Sequence, residues 1–202
     1  MADRLFINRH IILEFGAAAY NRKKMNRVSC LVPGVMAQTG MESAEIVRGV
    51  VKETKPDLVV AVDALAARST KRLNRTIQVT DTGINPGSGV GNHRHALDEK
   101  SLGVPVISIG VPTVVDAATI VNDTMYNLVT ALTQSQAFAA MGNSLEKLND
   151  AEKYELIREL LSPNLNAMFV TPKDIDESVK RLCYTISEGL NLAFAGGCLH
   201  AL

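Results

Sequence analysis

Asp63 stands in the stretch Val59 to Arg68, VVAVDALAAR, between an apolar run and an alanine-rich run. Open parallel α/β sheets gather their ligands beyond the carboxyl ends of their strands, and the sequence places Asp63 one residue past such an end. A carboxylate there has two roles open to it. It faces a cleft and does acid–base chemistry, or it N-caps ALAAR by accepting a backbone amide hydrogen bond. Asp81, the first residue of an Asp81-Thr82-Gly83 triplet, is the candidate for a second carboxylate, against the alternative that it only starts a turn.

The loop Pro86-Gly87-Ser88-Gly89-Val90-Gly91 invites comparison with phosphate-binding glycine loops. Those need a strand directly before and a helix N-terminus directly after, and no Lys-Ser or Lys-Thr pair follows Gly91. Glycines here serve backbone with positive φ or close passage of another chain. His93 and His95 are two residues apart, and an extended segment would point both the same way, yet two loop histidines fall short of a metal site. Cys198 and His200 fall short for the same reason. No serine lies in a GxSxG elbow and no cysteine has a compelling histidine partner, which disfavours Ser or Cys nucleophiles. A D-T-G triplet also marks the active aspartate of pepsin-like and retroviral proteases, but those folds are almost wholly β.

These residues need elements to hold them. SAEIVRGVVKETK places Ile46, Val47, Val50 and Val51 on one helical face, with Ser43 a candidate N-cap and Glu42 and Glu45 suited to the positive end of the dipole. Leu58 to Val62 reads as a strand covered on both faces, Thr76 to Thr80 as a second strand, and Val104 to Val111 as a third, closed by Pro112. Val28 to Val32 reads as a further short strand. Helices are expected from Asp116 to Leu132, around residues 150 to 161, and after Thr171, with Pro172 in the first turn. Residues 3 to 20 are loosely helical with no capping residue ahead. Strands alternating with helices predict one α/β domain over residues 1–202, a mostly parallel sheet flanked by helices, with C-terminal helices from about residue 150.

Composition narrows the class. The 202 residues, 47% of them apolar, suffice for a core, and 21 basic residues balance 21 acidic ones. No overall field favours nucleic acid or a membrane surface. Three cysteines without a CxxC pair argue against a disulfide framework, and no apolar run reaches the roughly 18 residues of a membrane span. A cytoplasmic protein is expected.

Three stretches now carry a resemblance: LVPGVMAQTGMESAEIVRGVVKETKPDLVVAVDALAAR, IQVTDTGINPGSGVGN and LGVPVISIGVPTVVDA, joined near the end by LIRELLSPNLNAMFVTPKDID and SEGLNLAF. From about Asn8 onward the chain resembles the germination proteases of spore-forming bacteria. The resemblance implies a fold similar to hydrogenase-maturation proteases and an endopeptidase that degrades small acid-soluble spore proteins during germination. It further implies a zymogen, a homotetramer in the spore core, no cofactor, no bound nucleic acid and a pair of working aspartates. The family's strand-end aspartate matches Asp63. Asp81 is carried as the second catalytic candidate, and Gly83, Gly87, Gly89 and Asn92 are expected to line the substrate cleft.

The match has a gap. The family's other aspartate lies in a Thr-Pro-Asp motif after a first strand, ahead of the helix corresponding to MADRLFINRH, and no such motif is present here. The expectation is a family member shortened at its N-terminus. Two carboxylates about 3 Å apart share a proton, so one can activate water while the other donates. A lone carboxylate near its usual value of about 3.9 is a poor base and no acid at pH 7. Unless Asp81, Asp116 or another chain supplies the partner, an inactive binding or regulatory protein is the alternative. A metal-dependent protease, by analogy with the hydrogenase-maturation fold, is a third reading.

Overall fold

The computed structural model describes residues 1–87, 95–146, 149–161, 165 and 168–195. They form two compact units, one made of Met1–Lys55 with the segment from Asp176 onward, the other of Pro56–Ile175.

The second unit is an α/β unit built on one long strand. Strand β1 (Val59–Ala67) pairs in parallel with β3 (Val106–Asp116), which also pairs antiparallel with β2 (Gln78–Thr80) and with β4 (Phe169–Val170). The parallel ladder runs from Val59↔Val106 to Ala67↔Val115, whereas β2 spans only Gly110 to Ser108 and β4 only Val115 and Asp116. The sheet is therefore parallel along most of its paired length. Since β1 occupies one edge of β3 along this whole register, β2 and β4 share the other edge. Helices α4 (Glu99–Leu102), α5 (Ala117–Gln134), α6 (Ala139–Glu146) and α7 (Asp150–Leu160) complete the unit.

Both long strands outrun the sequence reading. The strand ending at Val62 continues to Ala67, because β3 offers it a partner at every step and burial overrides the weak strand propensity of alanine. Likewise Pro112 does not close β3. Its lack of an N–H is absorbed at a bulge: Leu65 pairs with Pro112 but Ala66 pairs with Val114, leaving Thr113 as the extra residue. Helix α5 starts where expected because Asp116 caps it, its Oδ1 accepting the Thr119 amide at 2.6 Å.

The first unit contains α1 (Arg9–Phe15), α2 (Met36–Thr39), α3 (Ser43–Thr54) and, from Asp176, most of α8 (Ile175–Ala195). Three asparagines hold its loops. The side chain of Asn8, fully buried, donates to the Asn26 carbonyl (3.0 Å) and accepts the Val28 amide (2.7 Å). Asn191 accepts the Phe6 amide (2.8 Å) and donates to the Arg4 carbonyl (2.9 Å), and Asn26 donates to the Phe194 carbonyl (3.1 Å). Asn8 is thus the residue ahead of α1, but its side chain clamps another segment and does not cap the helix. The stretch Val28 to Val32 is not a strand: the Val28 carbonyl bonds the Asn8 and Arg9 amides, both at 3.0 Å, and no ladder follows. In α3 the N-cap is Glu42, not Ser43, and the Glu42 amide donates to the Glu45 carboxylate at 2.8 Å. Pro172 precedes α8, whose first helical residue is Ile175. Among the described residues no helix is long and apolar enough to cross a membrane.

Candidate active site

Asp63 is the fifth residue of the nine in β1, half-buried, and lies directly opposite Gly110 of β3. Its position inside the strand removes the capping role, because no helix begins at Ala64. Locally, its Oδ1 accepts the amide of Ala64 at 2.9 Å. Residues paired in register point to the same sheet face, and alternate residues share that face. One face therefore carries Val59, Ala61, Asp63, Leu65 and Ala67 from β1 with Val106, Ser108, Gly110, Pro112 and Val115 from β3. From β2 it carries Gln78, opposite Gly110, and Thr80, opposite Ser108.

Asp63 and Ser108, with Gln78 and Thr80 of β2 beside them, thus form a polar band across this face between apolar ends of the two long strands. Asp63 and Ser108 occupy opposite corners of a four-residue patch whose other corners are Ala61 and Gly110. Ser108 is 1% exposed, and its hydroxyl has no hydrogen-bond partner among the described residues. The glycine is required by its neighbour. A Cβ at Gly110 would lie 2.2 Å from Leu65 Cδ1 and 2.8 Å from Leu65 Cγ, so the Leu65 side chain lies over the glycine beside Asp63.

The other two carboxylate candidates lie apart from Asp63. Asp81 follows β2 and is exposed. Two strand spacings and three residues along the sheet separate its Cα from that of Asp63, about 14 Å in all. Asp116, at the far end of β3, is about 17 Å from Asp63 by the same spacing and already caps α5. Neither forms a proton-sharing pair with Asp63. Gly83 has φ +84° and serves packing: a Cβ would sit 2.5 Å from Asp98 Cβ and 2.6 Å from the Leu97 carbonyl, against the Ile84↔Leu97 bridge. Gly87 also takes positive φ, 75°, in a turn. Gly89, Asn92 and His93 lie outside the described residues. Among the described residues no group of three or more His, Cys, Asp or Glu side chains gathers as metal ligands.

Perturbed titrations are found at Tyr154, Asp123 and Asp98 of this unit. Burial and the Asp116 charge raise the Tyr154 hydroxyl above its usual value. At Asp123 burial pushes the carboxyl up, but the hydroxyl and amide of Thr70, the Ser69 hydroxyl and the Lys71 charge together outweigh it and hold the group below the usual range. Those bonds, from Thr70 Oγ1 (2.6 Å), Thr70 N (2.7 Å) and Ser69 Oγ (3.1 Å), tie the chain after β1 to helix α5. The amide and hydroxyl of Ser101 hold Asp98 low in the same way.

Sequence reading missed Ser108, Gly110, Leu65 and Gln78. The signal was present in VPVISIGV, where a serine and a glycine alternate on one face of an otherwise apolar run. Asn74 was missed as well: both polar atoms of its side chain are buried without a partner among the described residues, and its amide donates to the Pro112 carbonyl at 2.8 Å.

The family model for germination protease matches residues 1–138 and 132–198. Among curated proteins, the germination protease of Caldanaerobacter subterraneus subsp. tengcongensis is 47% identical over 202 residues, covering 98% of this chain and 60% of that protein. That of Clostridium acetobutylicum is 49% identical over 167 residues, 82% of this chain and 51% of the relative. The Bacillus subtilis protein is 41% identical over 226 residues, 95% and 60% respectively. The chain spans between about half and three fifths of the length of these relatives. Matched along nearly all of its own length, the chain belongs to the germination protease family.

Proposed function

We propose that this chain is an endopeptidase that degrades small acid-soluble spore proteins during germination, with Asp63 as the reacting carboxylate. The observation that carries this reading is the place of Asp63: a half-buried carboxylate in mid-strand, on a rigid sheet, in a member of a family whose curated relatives are named germination protease. A strand is poor surroundings for aspartate, so strand propensity does not account for it.

In the reaction, Asp63 takes a proton from water as the water oxygen bonds to the peptide carbonyl carbon. The proton then passes to the departing amine nitrogen as the C–N bond breaks. Protonation of the carbonyl oxygen needs a second acid. With Asp81 and Asp116 each more than about 10 Å from Asp63, we assign that role to a group from another copy of the chain. Exposed Tyr126 and Leu128 on α5 and Phe138 and Met141 beside it give copies apolar surface to share, which supports a homo-oligomer.

The test is incubation with a small acid-soluble spore protein and mass analysis of the products. Cleavage is expected, reduced at least 100-fold in kcat/KM by Asp63→Asn, in line with the loss of general-base catalysis. Undiminished cleavage by that variant overturns the role of Asp63. The distance of Asp81 and Asp116 favours a second reading, a binding protein that holds the substrate intact. Saturable binding without any cleavage selects it.

A further inference from the structure

We propose that two copies of this chain pair edge to edge along β1, antiparallel about a two-fold axis at Asp63, and that Asp63 of the second copy is the acid that the reaction requires. This rests on the reading of Asp63 as the reacting carboxylate.

The ladder decides which backbone groups of β1 are left over. The Val59 amide donates to the Pro105 carbonyl at 3.0 Å, so Val59 turns its backbone groups toward β3, and with it Ala61, Asp63, Leu65 and Ala67. The N–H and C=O groups of Val60, Val62, Ala64 and Ala66 therefore line the opposite edge. Among the described residues no strand pairs with that edge, and the amides of Val60, Val62 and Ala66 find no partner there. Ala64 is the exposed residue of the strand, and its amide donates to Asp63 Oδ1 at 2.9 Å. That bond draws the carboxylate toward the open edge, away from β3.

A strand edge of this length is a template for another strand. Asp63 is the middle residue of the nine. A two-fold axis at that point pairs β1 with itself from end to end: Val60 opposite Ala66, Val62 opposite Ala64, and Asp63 opposite Asp63. Every leftover N–H and C=O then meets its complement in about eight hydrogen bonds, whereas an axis moved by one residue leaves the ends of both strands unpaired. A second copy also answers the chemistry, which an unrelated strand does not, because it brings the same carboxylate to the axis twice.

Asp63 turns its own N–H and C=O toward β3, so the two aspartates face each other as a non-hydrogen-bonded pair. Their Cα atoms are then about 4.5 Å apart, with both side chains on the same face. The Ala64 amide exchanges the Asp63 carboxylate for the Val62 carbonyl of the second copy, which releases Oδ1. Two ionised carboxylates at this distance repel, and one shared proton removes the repulsion. The pair then holds one base and one acid. The ionised Asp63 takes a proton from water as the water oxygen bonds to the peptide carbonyl carbon, while the protonated Asp63 of the second copy gives its proton to the carbonyl oxygen. As the C–N bond breaks, the first proton passes to the amine nitrogen and the oxygen returns the other to the second carboxylate.

Two measurements test this, one of them independent of activity. Asp63→Cys under mild oxidation is expected to form a covalent dimer whose disulfide joins the two substituted positions, since a Cα separation of about 4.5 Å lies within disulfide range. Val62→Cys is expected not to join to itself across this edge, yet to join Ala64→Cys when the two variants are mixed; peptide mapping by mass identifies the linked positions. An unaltered chain that sediments as a monomer at every concentration, an Asp63→Cys protein without that disulfide, or Val62→Cys joined to itself overturns the proposal whatever the enzyme does. With a small acid-soluble spore protein as substrate, an equal mixture with Asp63→Asn, re-equilibrated at constant total protein, is expected to retain about a quarter of the activity, because mixed dimers hold a single carboxylate. Retention of about a half, the result for chains that work singly, overturns the shared pair. If the unaltered chain cleaves nothing, the endopeptidase reading fails and the cross-link still decides the edge pairing.

Discussion

Replacing Gly110 by alanine tests the packing that shapes the candidate site. The new methyl carbon would lie 2.2 Å from Leu65 Cδ1 and 2.8 Å from Cγ. Carbon atoms prefer about 3.5–4.0 Å, so the leucine must retreat by about 1.5 Å. The backbone of β3 cannot yield instead, because Gly110 is held between Asp63 on β1 and Gln78 on β2. Overpacking of this kind costs about 1–3 kcal/mol. Loss of glycine freedom in the unfolded chain returns about 0.4–1 kcal/mol, leaving a net destabilisation of about 1–2 kcal/mol. In a chain of this size that lowers the melting temperature by about 2–8 °C. Urea unfolding of Gly110→Ala, Leu65→Ala and the double variant gives the decisive comparison. Removing the leucine makes room for the methyl, so the double variant is expected to be more stable than the sum of the single effects by about 1 kcal/mol or more. Strict additivity, or a Gly110→Ala protein as stable as the parent, refutes the contact and with it the placing of the Leu65 side chain beside Asp63.

Asp116→Ala is expected to cost about 0.5–2 kcal/mol by uncapping α5, whereas Asp116→Asn, which keeps an acceptor for the Thr119 amide, costs a few tenths at most; thermal melts separate the two. Asp123 has a carboxyl held below its usual range in the folded chain, so its contribution to stability is full above the unfolded value of about 3.9 and is lost as pH falls through the lower folded value. Urea midpoints measured from pH 6 down to pH 3 are expected to fall less steeply for Asp123→Asn than for the parent, and parallel curves contradict the assignment.

How much of this was legible in sequence follows from which signals are local. Helices α3, α5 and α7 were read nearly to their ends, since periodicity and flanking polar residues are local and the fold confirms them. The strand ends were not. Whether ALAA continues a strand depends on what lies beside it, and β3 is more than forty residues away in the chain. For the same reason Pro112 read as a terminator although a bulge accommodates it, and VSCLV read as a strand although no strand pairs with it among the described residues. The clamps at Asn8 and Asn191 join residues 20 and 187 positions apart, beyond any local pattern.

The longer strand changes the argument about Asp63 more than it changes the drawing of the sheet. At a strand end, an aspartate has an ordinary structural use, because helix N-termini leave amides that want an acceptor. Within a strand that use disappears, and what remains is a group with low strand propensity whose Oδ1 accepts the adjacent Ala64 amide. Ser108 repeats the pattern on the neighbouring strand, a polar side chain where an apolar one would pack better. Two such departures on one face, diagonal across a patch whose other corners are alanine and glycine, are harder to assign to packing than either alone. Sites of function are where a sequence departs from what stability asks of it, and here both departures lie on one face of the sheet.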